Sequence, residues 1–220
     1  MPLEPSRIQL ICFDIDGTLA DTDDVMVEKI KILLHPLSAV MPAFQEHKFA
    51  RKLIMMIETP ANAFLHLMDF LHLSQLYFRI RKRIFGRRAF PLRTIRLIPG
   101  AESTVRWLSQ HYTVAIISVR DEQFTRSFIK QARFENDIHL FASAESCLHT
   151  KPYPDPILWV AKQAGISPEN CLMVGDTTVD ILAGKRAGAQ SVGVLSGFGT
   201  EEELAQAGAD AIFPDVSFLL

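Results

Sequence analysis

Asp14-Ile15-Asp16-Gly17-Thr18-Leu19 follows an apolar run from Ile8 to Phe13. The run reads as a strand, and the two acids fall at its end. A strand points residues i and i+2 to the same side, so Asp14 and Asp16 can address one site. Gly17 allows a sharp turn immediately afterwards. Two crowded carboxylates destabilise a fold unless a cation or a proton relieves them. The pattern therefore points to a metal, to acid/base work, or to both.

Outward from this stretch, the composition bounds the class. A chain of 220 residues with 48% hydrophobic content can bury a substantial core, as one domain or as a core with a modest insert. Net charge is −2, so the molecule as a whole advertises no polyanion partner. Cys12, Cys147 and Cys171 lie far apart without metal-ligand spacing, which reads as three reduced thiols in a cytoplasmic protein. Met1 to Arg7 carries two prolines and an acid but no apolar signal core. No uninterrupted apolar stretch approaches membrane-spanning length.

From Gly100 onward, strand-like and helix-like segments alternate. Expected strands are Thr113 to Ile117, Ile138 to Ala142, Cys171 to Val174, Ser191 to Leu195 and Ala211 to Phe213. Expected helices are Glu122 to Phe134, Pro156 to Ala164 with Gly165 as a stop, Val179 to Ala187, and Glu201 to Ala207. Unbroken apolar strands between helices argue for an α/β fold with a parallel sheet covered on both faces.

Residues 20–97 break this rhythm. They are rich in Leu, Ile, Met and Phe and hold no convincing strand, and Pro36, Pro42, Pro60 and Pro91 divide them into several expected helices. The expected organisation is a core of residues 1–19 and 98–220 with a helical insert at 20–97, packed over the C-terminal edge of the sheet. The insert holds 13 Lys and Arg against seven Asp and Glu, and the remainder 10 against 18. A basic layer over an acidic core suits a cation in the core and an anionic substrate between the layers.

Three further segments carry chemistry. Val114-Ala115-Ile116-Ile117-Ser118 is an apolar strand ending in a hydroxyl. Ser118 can donate to a phosphate oxygen, with help from the backbone N–H of Val119. Arg120, next in line, either touches the substrate or covers the following helix. Lys151-Pro152-Tyr153-Pro154-Asp155-Pro156 offers a lysine on a stiff loop, a fixed point charge for a phosphate or for Asp14. In Val174-Gly175-Asp176-Thr177-Thr178-Val179-Asp180 a strand ends at Gly175, Asp176 stands where a helix N-cap is expected, and Asp180 returns to the same face four residues later.

Together these four segments resemble, in order, motifs I to IV of the haloacid dehalogenase superfamily, most of whose members are phosphohydrolases. Within it, the chain resembles the phosphoglycolate phosphatase-like branch with a helical cap. The resemblance implies a Rossmann-like core, with residues 20–97 as the cap. It further implies that Asp14 is the nucleophile and Asp16 the general acid/base. Ser118, Val119, Lys151 and Arg120 would serve the phosphate or substrate. Mg²⁺ would be held by Asp14, the backbone carbonyl of Asp16 and Asp176, with Asp180 supporting from behind. Magnesium takes hard oxygen ligands and keeps several waters, which this set allows. The implied function is a Mg²⁺-dependent phosphatase acting on a small phosphomonoester through an aspartyl phosphate. Val119-Arg120 departs from the family, where a small or amide residue often follows the motif II hydroxyl.

Two alternatives stand beside this. A phosphomutase of the same family would use the same motifs and differ in shielding the aspartyl phosphate from water. An Asp at position 16 disfavours C–Cl and C–P cleavage, whose family members lack it. From a different class, Arg79 to Arg96 holds eight basic residues and no acid, interleaved with Phe85 and Phe90. This basic face of the insert could dock an anionic partner. There is no phosphate-loop lysine motif, no dinucleotide fingerprint and no serine-hydrolase elbow. His35, His47, His66 and His72 lack ligand spacing, and Met55-Met56 reads as core filler. Gly197 and Gly199 flank a Phe in a loop that either reaches the rim of the site or is a plain turn.

Overall fold

The computed structural model describes residues 3–21 and 95–220. The helical reading of the insert and the basic stretch up to residue 94 lie outside the described residues.

Among the described residues, six strands form one parallel sheet: β1 (Leu10–Phe13), β2 (Thr113–Ile117), β3 (Leu140–Ala142), β4 (Cys171–Gly175), β5 (Gln190–Val194) and β6 (Ala211–Phe213). Their order is β3-β2-β1-β4-β5-β6. The helices are α1 (Ala101–Ser109), α2 (Glu122–Gln131), α3 (Asp155–Ala164), α4 (Thr178–Ala187) and α5 (Glu201–Gln206). Short 3-10 turns occur at Pro5–Arg7, Pro168–Asn170 and Val216–Leu219.

The period-2 geometry of the strands divides the core into two layers. Ile11 and Phe13 join Val114, Ile116, Leu172, Val174, Val192 and Val194 on one face. That face packs against Ala101, Val105 and Leu108 of α1 and Phe128 of α2. Leu10 and Cys12 join Ala115, Ile117, Cys171 and Met173 on the other, under Ile157, Val160 and Ala161 of α3 and Ala183 and Ala187 of α4. Both faces being covered, every residue of β1 and β4 is buried, as the unbroken apolar runs require. Truncating a fully buried ring such as Phe13 to Ala would cost about 3–5 kcal/mol.

The helix of residues 101–109 was not anticipated as an element. Its buried residues, Ala101, Thr104, Val105 and Leu108, follow helical spacing, but the intervening Glu102, Ser103 and Arg106 dilute the apolar signal. The expected helix at Glu122 to Phe134 ends three residues earlier, at Gln131. Gly165 ends α3 in the left-handed conformation, as its position suggested.

The sheet order brings the motif segments together. Phe13 stands in register with Ile116 on one side and Val174 on the other. Asp14 follows Phe13 directly, Ser118 comes two residues past Ile116, and Asp176 two past Val174. All lie beyond the carboxyl ends of strands, where such sheets bind ligands. The chain leaves and re-enters the core at one place: Ile98 N–H donates to Leu19 O at 3.0 Å and Asp21 N–H to Arg96 O at 2.8 Å.

Candidate active site

Asp14 continues the β1 ladder by donating its N–H to Val174 O at 3.0 Å, which fixes its backbone against β4. Its side chain meets Lys151, whose Nζ lies 2.7 Å from Asp14 Oδ1 and 2.5 Å from Asp180 Oδ1. Lys151 is only 4% exposed, although it stands on a loop. Burial alone would lower its pKa, but the charges of Asp14 and Asp180 outweigh that and raise it, so the ammonium stays charged.

Asp180 is fully buried and uses both oxygens. Lys151 takes Oδ1, and the N–H and hydroxyl of Thr177 donate to Oδ2 at 3.1 and 2.6 Å. Thr177 and Asp180 form a capping box at the start of α4. The expected N-cap at Asp176 is therefore corrected: Thr177 is the cap, and Asp176 stands one residue outside the helix. That displacement frees the Asp176 carboxylate from capping and turns it into the site.

Asp176 is fully buried and gripped by two loops. Phe198 N–H donates to its Oδ2 at 2.9 Å, and the Thr18 hydroxyl reaches its Oδ1 at 3.4 Å. Gly17, with φ at +79°, and Gly197 lie so close that a Cβ on either would overlap the Asp176 carboxylate. The Ser196 hydroxyl ties the two loops together by donating to Gly17 O at 2.8 Å. The loop at Gly197 to Gly199 thus reaches the site itself and not merely its rim. Thr18, Ser196 and Phe198 were not singled out beforehand. A close backbone approach by Gly197 and a backbone N–H donor leave only the paired glycines as a sequence trace.

Asp14, Asp176 and Asp180 each place a carboxylate oxygen within 4.8 Å of the others. Burial raises the Asp14 pKa; Lys151 lowers it, Asp180 and Asp16 raise it further, and the balance is about 7. Burial, with Asp180 and Asp14 adding to it, pushes Asp176 well above the usual carboxylate range. A buried acid cluster that resists ionisation suits a divalent cation, which removes the repulsion that one lysine leaves. Lys151 and Thr177 between them occupy both Asp180 oxygens, which fixes that carboxylate at the edge of the cluster.

Asp16 lies at the outer side of this cluster. Its Oδ2 accepts from Arg120 Nε at 3.0 Å. Arg120 covers the next helix, its guanidinium 5.3 Å from the centroid of Phe124, and also reaches an acid, which neither expectation named. Ser118 is buried; its N–H donates to Ala142 O at 2.9 Å, and its hydroxyl oxygen accepts from Arg120 N–H at 3.1 Å. Val119, beside it, is 37% exposed. Burial raises the thiol pKa of Cys12, Cys147 and Cys171, so none is poised as a nucleophile. No helix among the described residues is long and apolar enough to cross a membrane.

A family profile described as haloacid dehalogenase-like hydrolase matches residues 11–194, and the chain belongs to that family. It is 29% identical over 220 residues to a phosphoglycolate phosphatase of Neisseria meningitidis, covering 95% of this chain and 88% of that one. It is 30% identical over 123 residues to a phosphoglycolate phosphatase of Pseudomonas putida, covering 56% of this chain. That match spans 45% of the relative's length, and a second Pseudomonas putida relative is matched over 40% of its length. A haloacid dehalogenase-like family hydrolase from Streptococcus pneumoniae shares the fold with a TM-score of 0.67 at 20% identity, over 97% of both chains.

Proposed function

We propose that this haloacid dehalogenase-like protein is a Mg²⁺-dependent phosphatase that hydrolyses a small phosphomonoester through an aspartyl phosphate on Asp14. The observation that carries this reading is the buried Lys151 bridge between Asp14 and Asp180, with Asp176 gripped beside it. Asp14, Asp176 and the backbone carbonyl of Asp16 would hold the ion. When bound, it supplies charge neutralisation between an anionic nucleophile and an anionic phosphate.

The residues then divide the work. Lys151 donates to Asp14 Oδ1 and so fixes the carboxylate, leaving Oδ2 to attack phosphorus in line. Ser118 and the Val119 N–H bind phosphate oxygens as charge builds on them. As the Asp14 Oδ2–P bond forms and the ester P–O bond breaks, Asp16 gives its proton to the leaving oxygen. Asp16 then takes a proton from a water that attacks phosphorus. The Asp14–P bond breaks, phosphate departs, and both acids return to their starting states.

The Neisseria meningitidis relative's name supports a small substrate that carries a carboxylate beside the phosphoester. The test is a screen of phosphorylated metabolites with Mg²⁺ and with a chelator. Phosphate release from at least one small phosphomonoester, lost on chelation, is the expected result. Failure to release phosphate from any of them with Mg²⁺ present would refute the reading.

A further inference from the structure

Arg120 reaches Asp16 with its side chain, and its backbone is held at both ends. Its N–H donates to Ser118 Oγ at 3.1 Å, and its carbonyl accepts from Ala144 N–H at 2.9 Å. Its guanidinium lies over Phe124, a ring packed against the hydrophobic core. Phe124 in turn sits in the first turn of α2, where its N–H donates to the capping carboxylate of Asp121 at 2.8 Å. A surface arginine normally spends side-chain entropy to hold one geometry; this one has a platform and a fixed backbone. Its Nε meets Asp16 Oδ2 at 3.0 Å.

We propose that Arg120 is a positioning residue that holds the Asp16 carboxyl for proton transfer to the leaving oxygen. This rests on the phosphatase reading. The donated hydrogen bond occupies Oδ2, so delivery of a proton to the leaving oxygen falls to Oδ1. Fixing one oxygen sets the direction of the other. As the bond from Asp14 to phosphorus forms and the ester P–O bond breaks, the electron pair passes to the leaving oxygen, and the proton from Asp16 Oδ1 neutralises it. An alkoxide needs that proton, whereas a nitrophenolate leaves without it. Arg120 therefore acts on the bond-breaking step in proportion to the basicity of the leaving group.

The experiment compares kcat/KM for an alkyl phosphomonoester and for p-nitrophenyl phosphate in the wild type, Arg120→Ala and Arg120→Lys. The expected result is a loss in Arg120→Ala at least about tenfold greater for the alkyl ester than for the aryl ester. Arg120→Lys should recover part of that difference, because it keeps a donor near Oδ2. Equal losses on the two esters, as from damage to the fold or from lost phosphate binding, would overturn the inference, as would no loss on either. If the wild type hydrolyses neither ester, the phosphatase reading falls first and this inference with it.

Discussion

The ammonium of Lys151 and the carboxylate of Asp14 meet at 2.7 Å with side chains only 2% and 10% exposed. So close a pair, drawn from segments 137 residues apart, is a joint in the fold as well as a part of the site. Lys151→Met leaves Asp14 and Asp180 buried without their counterion, a loss that costs about 3–5 kcal/mol in comparable pairs. Chemical denaturation in chelator should show that loss, and added Mg²⁺ should restore part of it. Unchanged stability in chelator would contradict the assigned role.

Asp14→Asn keeps an acceptor for Lys151 and removes the nucleophilic oxygen. Turnover should fall by about three orders of magnitude or more, with the thermal midpoint near that of the wild type. Unimpaired hydrolysis would refute the nucleophile assignment.

The raised pKa of Asp14 sets a pH dependence for the cation-free protein. Burial leads, Lys151 opposes it, and Asp180 and Asp16 reinforce it, taking the group from 3.8 to about 7. A pKa raised on folding contributes stability that is full below the unfolded value and is lost as pH rises through the folded one. Thermal unfolding in chelator should therefore show this contribution falling between about pH 4 and pH 7. Mg²⁺ should stabilise the protein more near pH 8 than near pH 5, because protonated carboxylates bind no metal. Equal stabilisation at both would argue against an acid-cluster metal site.

Gly197→Ala forces a methyl group into the Asp176 carboxylate. Calorimetric titration with Mg²⁺ or Mn²⁺ should show affinity reduced about 10–100-fold, the range found when the support of a ligand is disturbed. Ser196→Ala, which only unties the two loops, should move affinity the same way by less. Wild-type affinity in Gly197→Ala would show that Asp176 is not a ligand.

Away from the site, Asp210 joins β5 to α4 by accepting from Lys185 at 2.7 Å and from Ser191 N–H at 2.8 Å. Burial would raise its pKa, but those hydrogen bonds and the Lys185 charge hold it below the usual value. A lowered pKa gives stability that is present above the unfolded value and lost as pH falls through the folded one. Asp210→Ala should cost about 1–3 kcal/mol near neutral pH. The cost should shrink in acid. A pH-independent loss would point to packing instead.

How much of this could be read in advance depended on where the information resides in the chain. The strands were legible because burial on both faces demands unbroken apolar runs such as Val114 to Ile117 and Cys171 to Val174. Asp14, Lys151 and Asp176 were legible because each stands at the end of such a run or on a proline-stiffened loop, and Asp180 because it follows Asp176 by four residues. The cap of α4 was misplaced by one residue, since Asp176 and Thr177 are both good caps and only tertiary demand separates them. Phe198 could not be found by residue type, because it contributes a backbone N–H that any residue but proline carries. The partner of Arg120 was equally hidden, 104 positions away.

The bridge from Lys151 to Asp14 and Asp180 also bears on the order of events in making this protein. A site whose acids could be neutralised only by a bound ion would have to wait for that ion before its strands could close. Here the chain brings its own counterion to two of the three acids, so the strands that carry them can close without waiting for an external charge.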